Sequence, residues 1–260
     1  MYLAKSIAAS GLRHQQLRID TIAHNVSNTN THGYKNSRLD FKDSLYTAGI
    51  TPGPARSLDE SQQKGHGLLV AGITRDFKPG HMERTERELD FAIEGEGFFS
   101  VSAPNGDVVY TRNGSFHRSV EANGTFLVDG IGMYVLTENG GRIQMPAETS
   151  RIESNTDGTL MFFDLNNNQL GSARLGIFSF RNIKGLEAIG NGAFTPSPAA
   201  GERFQVNDEV TLRQGVLEGS NINLAEEMTR VIRTQRAFQL ASRALTTADE
   251  MQGIANNMRR

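Results

Sequence analysis

Both ends of this 260-residue chain lack proline and carry an apolar pattern that repeats every seven residues. In residues 1–30 the seam positions are Ala8, Leu12, Gln15, Ile19, Ile22 and Val26. In residues 223–260 they are Val231, Thr234, Phe238, Ala241, Leu245 and Ala248. A stripe of this period predicts an amphipathic helix whose apolar face needs a partner. Each helix could pack on the middle of its own chain, but two matching heptads favour a parallel or antiparallel pair formed by the two ends.

Pairing buries only one face of each predicted helix. Further apolar residues fall off the seam: Ile7, Met228, Ile232, Leu240 and Ile254. An isolated pair would leave that surface in water, so we expect other copies of the chain to cover it. The predicted subunit-interface residues are Leu12, Ile19, Ile22, Val26, Met228, Val231, Phe238, Leu245 and Met251.

The middle of the chain has the composition of antiparallel β structure. Short apolar runs are separated by turn-forming pairs at Asn105-Gly106, Asn113-Gly114, Asn123-Gly124, Asp129-Gly130 and Asp157-Gly158. Such pairs between alternating runs predict hairpins, and their spacing suggests a sandwich or barrel-like domain. Residues 46–82 contain many polar and turn-forming residues, which predicts an extended linker or long loop.

The predicted fold class is therefore α+β, with paired, coiled-coil-like terminal helices flanking a central antiparallel β domain, and an extended linker segment. Residues 1–30 and 223–260 would form the helical domain. Residues 31–82 and 205–222 would form an extended connecting region, and residues 83–204 the β-rich domain.

Composition argues against several classes of partner. The formal net charge is -2, which does not suggest nucleic acid or an anionic membrane surface. No apolar run reaches the length of a membrane-spanning helix. The N-terminal segment does not resemble a cleavable signal peptide, because Lys5 and Ser6 interrupt its apolar stretch. The chain contains no cysteine, so it forms no disulfides.

Motifs of catalysis and cofactor binding are missing from the sequence. There is no Gly-x-Ser-x-Gly elbow, phosphate-binding loop or His-Glu-x-x-His helix. Residues 164–168 begin like a calcium loop, but Gln169 and Leu175 stand where that loop needs glycine and glutamate, so we predict a polar hairpin turn. His66 and His81 share a loop without a nearby cysteine, which is a weak signal for metal. We therefore predict no catalytic, cofactor-binding or metal-binding residue, and a protein that is not an enzyme.

Three segments resemble the bacterial flagellar rod and hook protein family. They are SGLRHQQLRIDTIAHNVSNTNTHGYKNSRLDFKDSLY at residues 10–46, DFAIEGEGFFSV with YTRNGSF at 90–101 and 110–116, and EGSNINLAEEMTRVIRTQRAFQLASRALTTADEMQGIAN at 218–256. The resemblance marks the family-motif residues Asn25, Asn28, Gly33, Tyr34, Lys35, Phe41, Tyr110, Arg112, Gly114, Phe116, Ser220 and Asn221.

The resemblance implies a structural subunit of a hollow helical homopolymer in the flagellar basal body. The terminal helices would form the inner wall, the β domain would face outward, and export would use the flagellar type III apparatus without cleavage of a leader. Expected partners are other copies of the chain, other rod proteins, the hook and the surrounding envelope ring proteins in the periplasm. Distal-rod members are the most similar, with proximal-rod and hook-type members as the alternative.

Two other classes remain open on the residues alone. The first is a secreted binding module with a coiled-coil stalk, which would form small closed oligomers. The second is an enzyme acting on cell-wall glycan through a pair of carboxylates.

Overall fold

The computed structural model describes residues 2–43, 46–48, 63–65, 68–103, 105–206 and 210–258. The chain forms two compact units. The first unit comprises Met1–Ser27, Ser37–Arg75 and Asn223–Arg260, and the second comprises Asn28–Asn36 and Asp76–Ile222. The predicted α+β class with two terminal helices and an antiparallel β domain is confirmed.

Two long helices dominate the first unit. Helix α1 spans Tyr2–Ser27 and helix α2 spans Leu224–Asn257, and they pack against each other. Asn223 caps α2, because its side-chain oxygen accepts hydrogen bonds from the backbone N–H groups of Ala225 and Glu226. Neither described helix is long and apolar enough to cross a lipid bilayer.

The first unit also contains two antiparallel strand pairs. Strand β1 (Ser37–Asp43) pairs with β4 (Leu68–Arg75), and β2 (Tyr46–Ala48) pairs with β3 (Gln63–Gly65). A bulge between Asp40 and Phe41 interrupts the β1–β4 ladder. The sequence prediction of a linker or long loop over residues 46–82 did not anticipate this ladder, whose two strands are separated by more than twenty residues. His66 lies outside the described residues.

The second unit holds seventeen described strands. They are β5 (Met82–Arg84), β6 (Phe91–Glu94), β7 (Phe98–Ser102), β8 (Val108–Thr111), β9 (Phe116–Glu121), β10 (Gly124–Asp129), β11 (Tyr134–Val135), β12 (Gln144–Met145), β13 (Arg151–Ser154), β14 (Thr159–Phe163), β15 (Gln169–Arg174), β16 (Ile177–Phe180), β17 (Leu186–Gly190), β18 (Ala193–Pro196), β19 (Arg203–Gln205), β20 (Thr211–Gln214) and β21 (Val216–Glu218).

These strands form one large sheet and three small ones, with antiparallel pairing throughout the described ladders. The large sheet follows the order β12-β10-β11-β7-β8-β18-β17, with β16 beside β7, β19 beside β16 and β9 beside β10. Strands β13-β14-β15 form a three-stranded sheet, and the pairs β20-β6 and β21-β5 complete the unit.

The apolar side chains of the second unit form two cores. The larger core includes Phe91, Phe99, Phe116, Leu127 and Leu160, all fully excluded from solvent. The smaller core is mainly aromatic and includes Phe98, Tyr110, Phe178, Phe180 and Phe194. Alternation along the strands supplies both cores, as the sequence pattern predicted.

Four of the five predicted glycine turns join neighbouring antiparallel strands, and the fifth does not. Strand β8 before Asn113-Gly114 pairs with β7 and β18, whereas β9 after it pairs with β10. Gly114 instead allows a close approach of backbones, since a Cβ atom there would lie 1.8 Å from the Phe91 carbonyl oxygen. The hairpin prediction at this pair was wrong because a local turn signal does not show which backbone passes beside it. The turn at residues 164–168 does close the β14–β15 hairpin.

Candidate functional site: the terminal helix pair and a buried ionic cluster

The predicted heptad seam is the least exposed side of each terminal helix. On α1, Ile22 is 4% exposed, while Leu12, Ile19 and Val26 are half-buried. On α2, Thr234 is 3% exposed. The half-buried seam residues of α2 are Val231, Phe238, Ala241, Leu245 and Ala248. Since α1 and α2 pack together, this pattern is the one that pairing along a heptad seam produces.

Helix α2 also carries large apolar side chains that remain exposed to solvent. Its exposed members are Leu224, Met228, Ile232, Leu240, Met251, Ile254 and Met258. Leu240 is 66% exposed and Ile254 is 57% exposed. Met228 and Met251, which we predicted as interface residues, belong to this exposed set and not to the seam that faces α1. We call these seven residues the outer apolar face of α2.

The end of α1 is tied to strand β1 by one side chain. Asn25 is 1% exposed. Its amide nitrogen donates to the Ser37 carbonyl oxygen at 2.8 Å, and its amide oxygen accepts from the Ser37 N–H at 3.0 Å. One buried amide therefore pairs with both the backbone donor and the backbone acceptor of Ser37. Phe41, further along β1, contacts the His14 ring edge-on, with centroids 5.8 Å apart.

A polar cavity of about 440 Å³ lies in the first unit where the two helices and β1 meet. Its lining includes Arg18 and Asn25 from the second half of α1, and Glu227 and Arg230 from the start of α2. The C-terminal half of α1 therefore lies beside the N-terminal part of α2, as an antiparallel pair requires. Arg230 forms ion pairs with Glu226 and Glu227 on its own helix.

In the second unit, three charged side chains from distant parts of the chain form a buried ionic cluster. The Glu218 carboxylate accepts a hydrogen bond from Lys35 Nζ at 2.6 Å and another from Arg112 Nη1 at 3.2 Å. The Gly80 N–H also donates to Glu218 Oε1, at 2.9 Å. The three side chains are between 0% and 3% exposed. Such burial is tolerated only when charges are paired and hydrogen-bonded.

The cluster places two cations around one carboxylate, so backbone oxygens supply further acceptors. Lys35 Nζ donates to the Lys78 carbonyl oxygen at 2.8 Å, and Arg112 donates to the carbonyl oxygens of Ile93 and Gly95. Burial lowers the pKa of Lys35 below its ordinary value near 10.5, against the opposing effect of Glu218. Burial likewise lowers the pKa of the Arg112 guanidinium.

Other family-motif residues support the backbone around this cluster. The Gly33 N–H donates to the Glu218 carbonyl oxygen at 2.7 Å, and a Cβ at Gly33 would lie 2.5 Å from the Asn113 nitrogen. Asn221 accepts from the Asn36 N–H at 2.8 Å and donates to the carbonyl oxygens of Asp76 and Lys78. Asn223, two residues further along the chain, caps α2.

The remaining family-motif residues lie outside the ionic cluster, in the cores of the second unit or in turns. Tyr110 and Phe116 are buried in the two cores of the second unit. Ser220 is 4% exposed, Tyr34 is half-buried, and Asn28 accepts a hydrogen bond from the Thr31 N–H in the turn that follows α1.

Glu218 was not among the site residues predicted from the sequence, although its carboxylate is the centre of the ionic cluster. The chain has 29 acidic residues, and no sequence pattern around Glu218 distinguishes it from those whose carboxylates are exposed to solvent. Its position at the end of the apolar run Val216–Glu218, next to Gly219-Ser220-Asn221, is the only signal available in the sequence.

Comparison with known proteins gives three matched segments. Residues 6–35 match a model described as flagella basal body rod protein, and residues 92–162 match one described as flagellar hook protein FlgE/F/G D1 domain. Residues 213–258 match the C-terminal model of the flagellar basal body rod FlgEFG proteins. The chain is also 38% identical to the flagellar basal-body rod protein FlgG of Borreliella burgdorferi, over 97% of both chains.

The chain belongs to the flagellar basal-body rod protein family. It is a structural subunit of the flagellar rod, as the resemblance predicted. It is also 33% identical to FlgG of Bacillus subtilis, over 96% of this chain and 97% of that protein. The flagellar hook-basal body complex protein FlhP of the same organism is 32% identical, over 97% of both chains.

Each of the three matched segments contributes one residue to the ionic cluster. Lys35, Arg112 and Glu218 lie in three different matched segments, at residues 6–35, 92–162 and 213–258. Folding of the second unit brings one charged residue from each segment to a single point.

Proposed function

We propose that this chain polymerises with other copies of itself into a hollow helical tube that forms the distal part of the rod. The tube would transmit torque and leave a central passage for exported subunits. The observation that carries this proposal is the outer apolar face of α2, which remains exposed although α1 and α2 already pack together. Repeated contacts between unlike surfaces that do not close into a ring generate a filament.

The helix pair supplies the surface that such contacts need. We propose that α1 and α2 contribute Leu12, Ile19, Ile22, Val26, Val231, Phe238 and Leu245 mainly to the seam within one subunit. Met228 and Met251, which are 43% and 52% exposed, would then contact neighbouring subunits. Burying one such side chain contributes roughly 1.5–3 kcal/mol, so a few contacts per subunit suffice for cooperative assembly.

This role also implies the partners of the tube, its location and its route of export. The expected partners are other rod proteins, the hook and the envelope ring proteins, with the tube crossing the periplasm. Delivery through the flagellar type III export apparatus fits a subunit that adds to the end of a growing tube. The role is mechanical and not catalytic, in agreement with the structural family to which the chain belongs.

A proximal-rod or hook-type position is the second candidate. The similarity to FlhP extends over 97% of the chain and is close in identity to that of the FlgG proteins of several organisms. Antibody or fluorescent labelling of isolated basal bodies would place the protein along the axis and decide between these positions.

The polymer proposal is tested by removing apolar side chains from α2 in the full chain. In the double variant Leu240→Ser, Ile254→Ser, we expect the critical concentration for polymerisation to rise at least about tenfold, because two buried contacts are lost. Electron microscopy and sedimentation of concentrated protein measure it.

The matched control places the same changes on exposed apolar residues of the β domain. Val120 and Leu165 are 77% and 87% exposed, so the variant Val120→Ser, Leu165→Ser changes a similar surface. We expect this variant to polymerise like the parent chain. Equal polymerisation of both variants, or small closed oligomers from the parent chain, would overturn the proposal.

A further inference from the structure

Methionine is the side chain of this protein that hydrogen peroxide attacks most readily. The chain contains no cysteine and no tryptophan, but it contains eight methionines. Peroxide converts the thioether of an accessible methionine to a sulfoxide, which turns a flexible apolar side chain into a polar one. The positions at which this reaction occurs are therefore set by which methionines lie at the surface.

The seven methionines in the part of the chain that the structure describes differ in exposure. Met133 and Met145 are buried in the larger core of the second unit, and Met161 on β14 is half-buried. The other four have exposed fractions from 37% to 78%, and three of them lie on the outer apolar face of α2. The four exposed methionines are Met82, Met228, Met251 and Met258.

On α2 the methionines lie beside the other apolar side chains of that face. Met228 is four residues before Ile232, and Met251 is three residues before Ile254, spacings at which side chains are neighbours on a helix. Met258, at the C-cap, is four residues after Ile254. Unbranched thioether side chains adapt to irregular surfaces, so they suit a face that packs against another subunit. A sulfoxide at any of the three positions would place a polar oxygen in that face.

We propose that Met228, Met251 and Met258 form an oxidation site at which peroxide blocks assembly of the subunit. In each reaction the sulfur lone pair attacks one peroxide oxygen, an S–O bond forms, the O–O bond breaks and water leaves. Sulfur loses two electrons, and the peroxide is reduced. When a second subunit covers the face, the sulfoxide oxygen loses its hydration, and an apolar neighbour supplies no donor in return.

Oxidation at these positions should leave the monomer folded, because the three side chains are exposed. The effect on assembly rests on the proposed polymer, whereas the selective oxidation of α2 does not. The reaction is also reversible, since methionine sulfoxide reductases, one type for each sulfoxide epimer, restore the thioether. Loss and recovery of assembly can therefore be followed in one preparation.

Limited treatment of the dilute full chain with hydrogen peroxide, followed by mass spectrometry of its peptides, tests the site. We expect the three methionines of α2 to be oxidised at least about tenfold faster than Met133 and Met145, which react only when the core opens. Circular dichroism should give a melting temperature close to that of the untreated chain. Similar oxidation rates for the buried methionines and those of α2 would overturn the assignment.

Polymerisation of the same treated sample tests the consequence. We expect the critical concentration, measured by sedimentation and electron microscopy, to rise at least about tenfold, because each sulfoxide loses hydrogen bonds to water on burial. Treatment with both sulfoxide reductases should restore the original value. Unchanged polymerisation of a chain that carries all three sulfoxides would overturn the proposal. Failure of the untreated chain to polymerise would overturn the assembly step together with the polymer proposal, and the oxidation rates would still decide the site.

Leucine variants identify which methionines matter. The triple variant Met228→Leu, Met251→Leu, Met258→Leu replaces each thioether with an apolar side chain of similar volume that lacks sulfur. Whatever its own critical concentration is, peroxide should not change it. The matched control Met82→Leu removes the exposed methionine of β5, and it should lose polymerisation after treatment as the parent chain does. A triple variant that remains sensitive, or a resistant Met82→Leu, would contradict the assigned residues.

The assembled polymer gives a further readout. Once a neighbouring subunit covers the outer apolar face of α2, Met228 and Met251 should be oxidised more slowly than in the dilute chain. Peroxide treatment of sedimented polymer and of dilute chain, with the same mass spectrometry, measures the two rates. Equal rates would show that these methionines stay uncovered in the polymer, and the proposal would then be wrong.

Discussion

In the β domain Phe91, Phe99 and Leu160 are fully excluded from solvent, whereas on helix α2 Leu240 and Ile254 are more than half exposed. The β domain closes its core with side chains of its own chain. The helix pair buries one seam and leaves an apolar face in water. The β domain therefore buries its apolar side chains within one chain, whereas the helix pair carries the exposed apolar face that we propose other subunits cover.

The largest effect expected inside the β domain comes from removing the centre of the ionic cluster. Glu218→Gln leaves Lys35 and Arg112 buried without a counter-ion, so we expect the free energy of unfolding to fall by about 3–5 kcal/mol. Urea unfolding followed by circular dichroism measures it in the full chain.

The matched control for this variant is Glu94→Gln. Glu94 pairs with Arg213 at 2.7 Å, but both side chains are more than half exposed. A loss of at most about 1 kcal/mol is expected, because solvent screens an exposed pair. Similar losses in the two variants would show that burial does not distinguish the two ion pairs.

The second prediction compares two leucines in the two regions. Leu160→Ala should lower the free energy of unfolding by about 2–5 kcal/mol, because it leaves a cavity in a closed core. Leu240→Ala should change it by less than about 0.5 kcal/mol in dilute monomer, since the side chain is 66% exposed. If Leu240→Ala destabilised the dilute monomer as much as Leu160→Ala, the outer apolar face of α2 would already be covered within one subunit.

A smaller effect should appear in the pH dependence of the β domain. Burial lowers the pKa of Lys35 in the folded chain, so its charged form is costly there. That cost is fully present below the lowered pKa and disappears as the pH rises toward the unfolded value. As the pH rises toward the pKa of an unfolded-chain lysine, about 10.4, the parent chain should therefore gain stability relative to Lys35→Met.

Denaturant unfolding of the parent chain and Lys35→Met at several alkaline pH values measures this difference. Arg38→Met serves as the control, because the Arg38 side chain is 74% exposed. A constant difference between the parent chain and Lys35→Met over this range would show that burial does not depress the Lys35 pKa.

The smallest effect concerns an exposed contact on the large sheet. The Tyr134 hydroxyl donates to Glu121 Oε1 at 2.6 Å, and this hydrogen bond raises the pKa of Tyr134. In Glu121→Gln one of the five tyrosines should ionise at a lower pH than in the parent chain. Ultraviolet absorbance of tyrosinate measures it cleanly, since the chain contains no tryptophan.

Glu148→Gln, another exposed carboxylate change, should leave the tyrosine titration unchanged. An identical curve for Glu121→Gln would show that the carboxylate does not hold the phenol proton. The exposed contact between Tyr134 and Glu121 can thus be compared with the buried contacts of Glu218 in the same domain.

Much of the local structure could be predicted because its causes are close in sequence. The seven-residue spacing of Val231, Phe238 and Leu245 predicted a helix and its buried side, and Asn223 lies where a cap is needed. The turn pairs at Asn105-Gly106 and Asn123-Gly124 close hairpins between adjacent strands.

Contacts between distant segments could not be predicted from the sequence in the same way. Asn113-Gly114 has the sequence of a hairpin turn, but the glycine serves a close approach to Phe91. The β1–β4 ladder joins strands separated by a segment that looks like a linker.

The sequence by itself determined the two terminal helices, their seam, the antiparallel β middle and the family, because helix period, caps and turns depend on neighbouring residues. Only the tertiary structure decided that Glu218 joins Lys35 and Arg112, and that Met228 and Met251 remain exposed. Those outcomes depend on which distant segments pack together and bury each other's side chains. Whether a charged or apolar side chain is buried or exposed, and with what it pairs, is therefore set by the tertiary structure.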